Sequence, residues 1–376
     1  QAASVSAVVG ALALQGTLPA HAATGFTYEM VRSFDTVSNN TQGEVLCSFA
    51  FNDVGQLAYL GQRWVYSTPQ PSVVTSVYFW DGEDEQLIYS DTNPQSGEYY
   101  PIFSCTGNIV GLSNTGLIAI NLVSIQEAEL GVLYLRAGQG IVGSVALASG
   151  STRTNLNDSE ELAYFGTVSG NRVLGTTRFG SATEQFARLG DATAWVSGGP
   201  IVNDLGQAAM MAAAPQSDGY YYTGIADFDP AVNSDFAGFT PIGRINEWSV
   251  VPTATPGLND LGYTSFATQA WDSTYNPDTR FRVALVTPDR QRVSILADDT
   301  VFTRNAAPVT PTWLNNLNQV LIGISGVEAD NPNAGESALW LIDAAKQPLL
   351  VARSGETIEA GDQSVWSLYF GSNTQG

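Results

Sequence analysis

The sequence predicts an all-β protein, and within that class a β-propeller of seven blades, each of four antiparallel strands, with the last blade incomplete. Three observations lead there. A short Asn-Asp-x-Gly turn motif recurs along most of the chain. Each copy opens onto a run of apolar, small and large apolar residues, the pattern of a strand buried on both faces. The composition supplies 37 Gly and 17 Pro for turns and 8 Trp, 15 Tyr and 16 Phe for short packed strands, and no segment after the first residues reads as a helix. An open row of repeats or a β-solenoid is the alternative architecture.

The copies start at 52, 113, 157, 203, 259, 315 and 373, a period of roughly 44 to 61 residues that matches propeller blades. The first is Phe51-Asn52-Asp53-Val54-Gly55-Gln56-Leu57-Ala58-Tyr59. Asn157, Asn203, Asn259 and Asn315 head later copies, and Gly206 and Gly262 repeat the glycine of Gly55. Asn can bond its own backbone two residues on. Gly supplies the positive φ that such a turn needs. Asn318 stands in the glycine position of the copy at Asn315, and Asn tolerates that conformation next best. Glu160 does not, so the third copy is expected to use another turn. The small column of Ala58, Ala119, Ala163, Ala209 and Ser265 predicts close backbone approach, as strands crowded about an axis would need.

Second and third strand signals follow each motif, as in Val77–Trp80 ahead of Gln86–Tyr89, Val283–Val286 ahead of Val293–Leu296, and Leu339–Ile342 ahead of Leu349–Val351. Phe26–Val31 and Glu44–Phe49 read as the last two strands of a unit whose first two come from the copy at Asn373. Residues 23–376 are thus expected to form one repeat domain.

Residues 1–22 read as the remnant of a signal peptide. Val5 to Leu18 is apolar and too short to span a bilayer, and Ala20-His21-Ala22 fits a small-x-small cleavage site. Cleavage near Ala22 predicts a secreted or cell-surface protein, extracellular or periplasmic. It also removes His21, the only His of the sequence, and with it every His-based triad, dyad or metal site. The net charge of −21 excludes nucleic acid and anionic lipid as partners. A single Lys, Lys346, against 14 Arg speaks against lysine chemistry. Export permits a disulfide between Cys47 and Cys105, each a few residues ahead of a motif.

Candidate chemistry is sparse. Glu83-Asp84-Glu85 and Glu160-Glu161 read as solvated turns. Asp227-Phe228-Asp229 with Asp235 carries oxygen ligands for Ca²⁺ without a complete ligand loop. Otherwise no cofactor is expected. Gly138-Gln139-Gly140 lacks the third glycine and the helix of a dinucleotide site. Tyr220-Tyr221-Tyr222 must expose at least one ring if it is a strand, since alternate residues face opposite ways.

The repeat resembles that of the NxxGxxAF tandem-repeat proteins, an exported bacterial family of propeller-like repeats. Asn52, Gly55, Ala58 and Tyr59 follow its pattern. Asn203, Gly206 and Ala209 match, with Met210 in the aromatic place, and so do Asn259, Gly262 and Phe266. Ser113, Glu160 and Asn318 depart from it. The resemblance implies a secreted or surface-anchored protein, with an anchoring segment at the C-terminus in many members and no defined catalytic residues. The function expected is a non-enzymatic binding or surface-scaffold module for an unknown protein or glycan ligand. The alternative is a carbohydrate-active hydrolase or lyase using Asp, Glu, Tyr and Arg near the axis.

Overall fold

The structure is a computed structural model that describes residues 6–8, 32–34, 44–66, 71–91, 100–101, 109–123, 130–146, 153–181, 183–190, 195–232, 235–244, 255–270, 280–298, 302, 307–308, 312–325, 337–343, 348–353, 357–360 and 363–367. Among them every regular element is a strand. Six sheets are blades of four antiparallel strands that neighbour one another in chain order. Blade 1 is Glu44–Phe51, Leu57–Tyr66, Pro71–Trp80 and Glu85–Asp91. Blade 2 is Ile109–Leu112, Leu117–Val123, Leu130–Arg136 and Gly140–Ala146, with Tyr100–Pro101 also pairing on its second strand. Blade 3 is Arg153–Leu156, Glu161–Val168, Asn171–Arg178 and Glu184–Arg188. Blade 4 is Trp195–Val202, Ala208–Pro215, Tyr221–Phe228 and Gly238–Arg244. Blade 5 is Gly257–Leu258, Thr264–Ala270, Arg280–Val286 and Val293–Asp298. Blade 6 is Trp313–Leu314, Val320–Ser325, Ser337–Ile342 and Pro348–Arg353, with Ala307–Pro308 also on its second strand. Two further antiparallel pairs join Ser6–Val8 to Arg32–Phe34 and Thr357–Ala360 to Gln363–Ser367.

The chain divides into two compact units. Residues 1–146 with 355–369 hold blades 1 and 2; residues 147–354 with 370–376 hold blades 3 to 6. Among the described residues there are six four-stranded blades, where seven were expected. The motif copy at Asn373 and the segment Phe26–Val31 lie outside the described residues, as does Cys105; of the Cys47 side chain nothing is described.

Blade boundaries differ from the expected ones by one strand. Glu44–Phe51 is the first strand of its blade, not the last of a unit, because it pairs directly with Leu57–Tyr66. The motif therefore sits inside each blade, at the hairpin between its first and second strands. The first strands are the inner ones: within each unit they approach the first strands of the neighbouring blades.

The core lies between blades, and strand alternation decides what meets what. With the heading residue counted as the first of each motif, the seventh and ninth positions face the following blade of the same unit and the sixth, eighth and tenth face the preceding one. Ala58 and Leu60 of blade 1 thus share a cluster with Ile118 and Ile120 of blade 2. Ala163 of blade 3 packs with Ala208, Met210 and Ala212 of blade 4. Ala209 and Met211 of blade 4 pack with Phe266 of blade 5, and Ala267 of blade 5 with Val320, Ile322 and Ile324 of blade 6. The small column is therefore on the second strand, not on the one that crowds the inside. It leaves room for the large residue at the eighth position of the next blade, which lets the sheets close to interior packing density. Phe266, Met210 and Ile322 are at most 1% exposed, and burying each such side chain contributes about 1.5–3 kcal/mol.

Candidate binding surface

The six motif turns have one geometry. The amide at the fourth position donates to the carbonyl of the heading residue, as from Gly55 to Asn52 and from Gly206 to Asn203, and the heading amide donates to the fifth carbonyl, as from Asn203 to Gln207. This is a three-residue hairpin loop closed by a residue in the left-handed region. That residue has φ of 82° at Gly55, 78° at Gly116, 65° at Glu160, 78° at Gly206, 79° at Gly262 and 60° at Asn318. The expectation of a different turn at Glu160 is thus corrected: Asn157 closes the same loop, and its hydrogen bonds hold Glu160 where glycine sits elsewhere.

The heading Asn fixes the turn from inside and joins it to the next blade. Asn203 Oδ1 accepts from the amides of Leu205 at 3.1 Å and Gln207 at 2.9 Å. Asn203 Nδ2 donates to Gln207 Oε1 and to the carbonyl of Asn259, both at 2.9 Å. Asn259 Nδ2 donates to the carbonyl of Asn315 at 2.9 Å and to Asn318 Oδ1. Asn157 Nδ2 reaches the carbonyl of Asn203 at 2.5 Å. In the other unit Asn52 Nδ2 reaches the carbonyl of Ser113 at 2.8 Å. Ser113 keeps only the inner half of the pattern, its hydroxyl accepting from Leu117 and Thr115. Asn52, Asn157, Asn203 and Asn259 are all buried.

A second ladder runs beside the first. The amide of Asp204 donates to Asp260 Oδ1, and the amide of Asp260 to Asn316 Oδ1, both at 2.9 Å. Asn316 Nδ2 returns a bond to Asp260 Oδ2 at 2.8 Å. The turns of blades 4 to 6 are thereby laced together. The next residue in each projects outward: Leu205 is 63% exposed, Leu261 54% and Leu317 72%. Ser159 fills this place in blade 3; in the other unit Val54 and Thr115 do. Exposed leucines scattered singly are ordinary; these three stand at the same place in successive turns that are bonded to one another. The motif's Asn, Asp and Gly do not announce these residues; Leu at the variable place of three successive copies is their signal in the sequence.

Side chains below the row brace it. Arg290, in the turn between the third and fourth strands of blade 5, donates from Nη1 to Thr264 Oγ1 at 2.8 Å and to the carbonyl of Gly262 at 3.2 Å. Its Nε meets Asp227 Oδ2 of blade 4 at 3.3 Å. Gln207 Nε2 donates to Asp229 Oδ2 at 2.9 Å, and Asp229 Oδ1 caps the amide of Ala231. Asp227 and Asp229 thus serve turn and blade contacts, while Asp235 offers its main-chain carbonyl to Arg188. No group of three metal-ligating side chains occurs among the described residues.

The remaining candidates are local. Asp81 Oδ1 accepts from the amides of Glu83 and Asp84, and these bonds hold its carboxyl below the usual range. Glu85 is more than a solvated tip, since it accepts the Tyr59 hydroxyl. Tyr164 makes the same contact with Glu184 at 3.0 Å. Glu161 lies with its carboxylate against Gly206 of the next blade, where a Cβ would come within 2.7 Å of Oε2. Gly138 and Gly140 belong to a hairpin between strands of blade 2. Tyr220 and Tyr221 are exposed, as the alternation required of at least one, while Tyr222 is half-buried and bonds Asp218.

No protein-family model matches the chain, and no curated protein matches it. Solved structures do. The β-propeller domain of the Trilobed protease from Pyrococcus furiosus, described as having an open velcro topology, aligns with a TM-score of 0.50 at 9% identity over 83% of this chain and 84% of that one. The fold is a β-propeller. Prolyl oligopeptidase B from Galerina marginata aligns with a TM-score of 0.50 at 9% identity, over 84% of this chain and 44% of that longer one. A structure described as putative TolB from Agrobacterium tumefaciens aligns over 72% of this chain and 85% of that one, at 12% identity and a TM-score of 0.39. Such low identities show the propeller alone, and propellers serve many functions.

Proposed function

We propose that the protein is an exported, non-enzymatic propeller that works as a binding or cell-surface scaffold module, and that its binding surface is the row of turns in blades 4 to 6. The observation that carries this is the pairing of exposed Leu205, Leu261 and Leu317 with turns whose heading Asn side chains, buried at Asn203 and Asn259, are occupied in holding them. A rigid apolar row on an acidic protein suits recognition. The carboxylates around it are engaged with amides, Arg290 and Gln207 instead of converging on one another.

Export is supported by the Val5–Leu18 stretch and the Ala20-His21-Ala22 pattern. Among the described residues no helix is long and apolar enough to cross a membrane. The reading includes a seventh blade built around the copy at Asn373 and membership of the NxxGxxAF tandem-repeat group. Six copies with one turn geometry support both. N-terminal sequencing of the protein recovered outside the cytoplasm tests export; a start at Ala23 is expected.

The decisive experiment offers the purified protein a panel of neutral and acidic polysaccharides and of peptides, and reads binding and turnover together. Saturable binding without new reducing ends or unsaturated products is expected. Turnover that disappears on changing a single carboxylate would make the protein a carbohydrate-active enzyme and overturn the reading. The reading also needs no metal, so a chelator is expected to leave the melting temperature unchanged; a fall would point to bound Ca²⁺.

A further inference from the structure

The leucine row carries information about its partner. Each leucine follows an acidic or amide residue of the second ladder, giving Asp204-Leu205, Asp260-Leu261 and Asn316-Leu317. Asp260 uses one bond on each oxygen, and a carboxylate offers about four lone-pair sites, so it retains capacity to accept more. The carboxylate of Glu161 lies against Gly206, the residue after Leu205. Leu205 and Leu261 thus each follow a carboxylate residue, and Leu317 an amide one, on turns whose backbone is fixed by blade-to-blade bonds. The guanidinium of Arg290 is committed to Asp227, Thr264 and the Gly262 carbonyl, so its charge is paired with a carboxylate other than Asp204 or Asp260.

We propose that this row docks a cationic amphipathic segment of a partner protein, with apolar side chains on Leu205, Leu261 and Leu317 and Lys or Arg beside Asp204 and Asp260. The proposal rests on the binding reading above and names the class of partner. Charge decides among occupants. A second copy of this chain would bring another −21, and like charges brought together oppose association. Anionic lipid and acidic glycan are disfavoured in the same way. A basic segment gains from the field of the whole protein during encounter and from the leucines once seated. Because the row is pre-ordered by the Asn ladder, binding orders little of this chain.

The test uses three fluorescent peptides of equal length, alternating Leu with Lys, Leu with Ser, and Ser with Lys. Anisotropy titrations at physiological salt are run against the full chain and against L205S/L261S/L317S, with melting temperatures as folding controls. The Leu/Lys peptide is expected to bind at least tenfold more tightly than the other two and to lose at least tenfold on the triple variant. The single variant L261K should weaken the same peptide in a protein that is certain to differ by one exposed side chain. Equal binding of the Leu/Lys and Ser/Lys peptides, or equal binding to wild type and variant, would reduce the effect to general charge attraction and overturn the proposal. Tight binding of Leu/Ser that depends on the leucines would keep the binding face and overturn the cationic partner. Failure of all three would overturn this proposal, while loss of a polysaccharide's binding on the triple variant would still keep the binding face.

Discussion

The side-chain amide of Asn203 donates at 2.9 Å to the main-chain carbonyl of Asn259, the residue in the same place one blade further on. The bond spans 56 residues of sequence and repeats from Asn259 to Asn315. One side chain thus closes its own turn and ties two sheets. Replacing Asn203 by Ala removes both jobs and leaves a buried carbonyl and two turn amides without their partner. The expected cost is about 2–3 kcal/mol, from lost hydrogen bonds near 1 kcal/mol each and the penalty of an unmade buried one. N203S restores the inner half, as Ser113 does at its own turn, and should fall between. Urea midpoints of the three proteins measure this; an N203A midpoint equal to wild type would remove the ladder from the stability of the fold.

Glu160 offers the opposite sign. Its φ of 65° puts a side chain in a region that costs an L-residue about 1 kcal/mol and costs glycine nothing. Glu160→Gly is expected to raise stability by about 0.5–1 kcal/mol, net of the greater freedom that glycine gives the unfolded chain. Gly206→Ala should lower it by more, because Cβ would meet both the positive φ and the Glu161 carboxylate. Thermal melts of both variants check the pair; a fall for Glu160→Gly would mean that the interactions of Glu160 outweigh the positive φ that glycine relieves.

These two residues also mark what was legible in the sequence. Asn52, Gly55 and their equivalents announced the turn because Asx bonding and positive φ are local properties of one residue type. Glu160 misled for the same reason. Its local preference points away from the left-handed region, and bonds from Asn157 to its own turn and to Asn203 override it. The ladder itself was out of reach, since its partners are 46 to 61 residues apart. Alternation showed that Ala209 and Met210 face opposite ways but not which blade each meets. Leu205, Leu261 and Leu317 were visible as letters; only the hydrogen-bonded turns make them neighbours.

Ser265 occupies the small column where Ala58, Ala119, Ala163 and Ala209 stand in other copies. It is fully buried, and its hydroxyl has no hydrogen-bond partner among the described residues. A hydroxyl taken from water without a partner costs about 1–3 kcal/mol. Ser265→Ala removes the hydroxyl and leaves the backbone untouched, so a gain of about 1 kcal/mol is expected. A higher denaturant midpoint at unchanged slope is the readout; a loss would reveal a buried water bound at that hydroxyl.

Alkaline pH tests the core of blade 2. Burial pushes the Tyr134 hydroxyl up to about 12, against about 10 for an unfolded chain. The folded state therefore holds a proton that the unfolded state has lost across that interval. The contribution of the neutral hydroxyl to stability is complete below pH of about 10 and disappears as pH rises toward about 12. Tyr164 shifts in the same direction through burial, the charge of Glu184 and the hydrogen bond it donates to Glu184. Melting temperatures should hold through neutral pH and fall steeply across this window, with late tyrosinate absorbance appearing together with unfolding. Tyr134→Phe has no proton to release, so its decline should begin later and be shallower whatever its melting temperature at pH 8. Parallel curves for wild type and variant would show that Tyr134 ionises without opening the blade, and would contradict its burial.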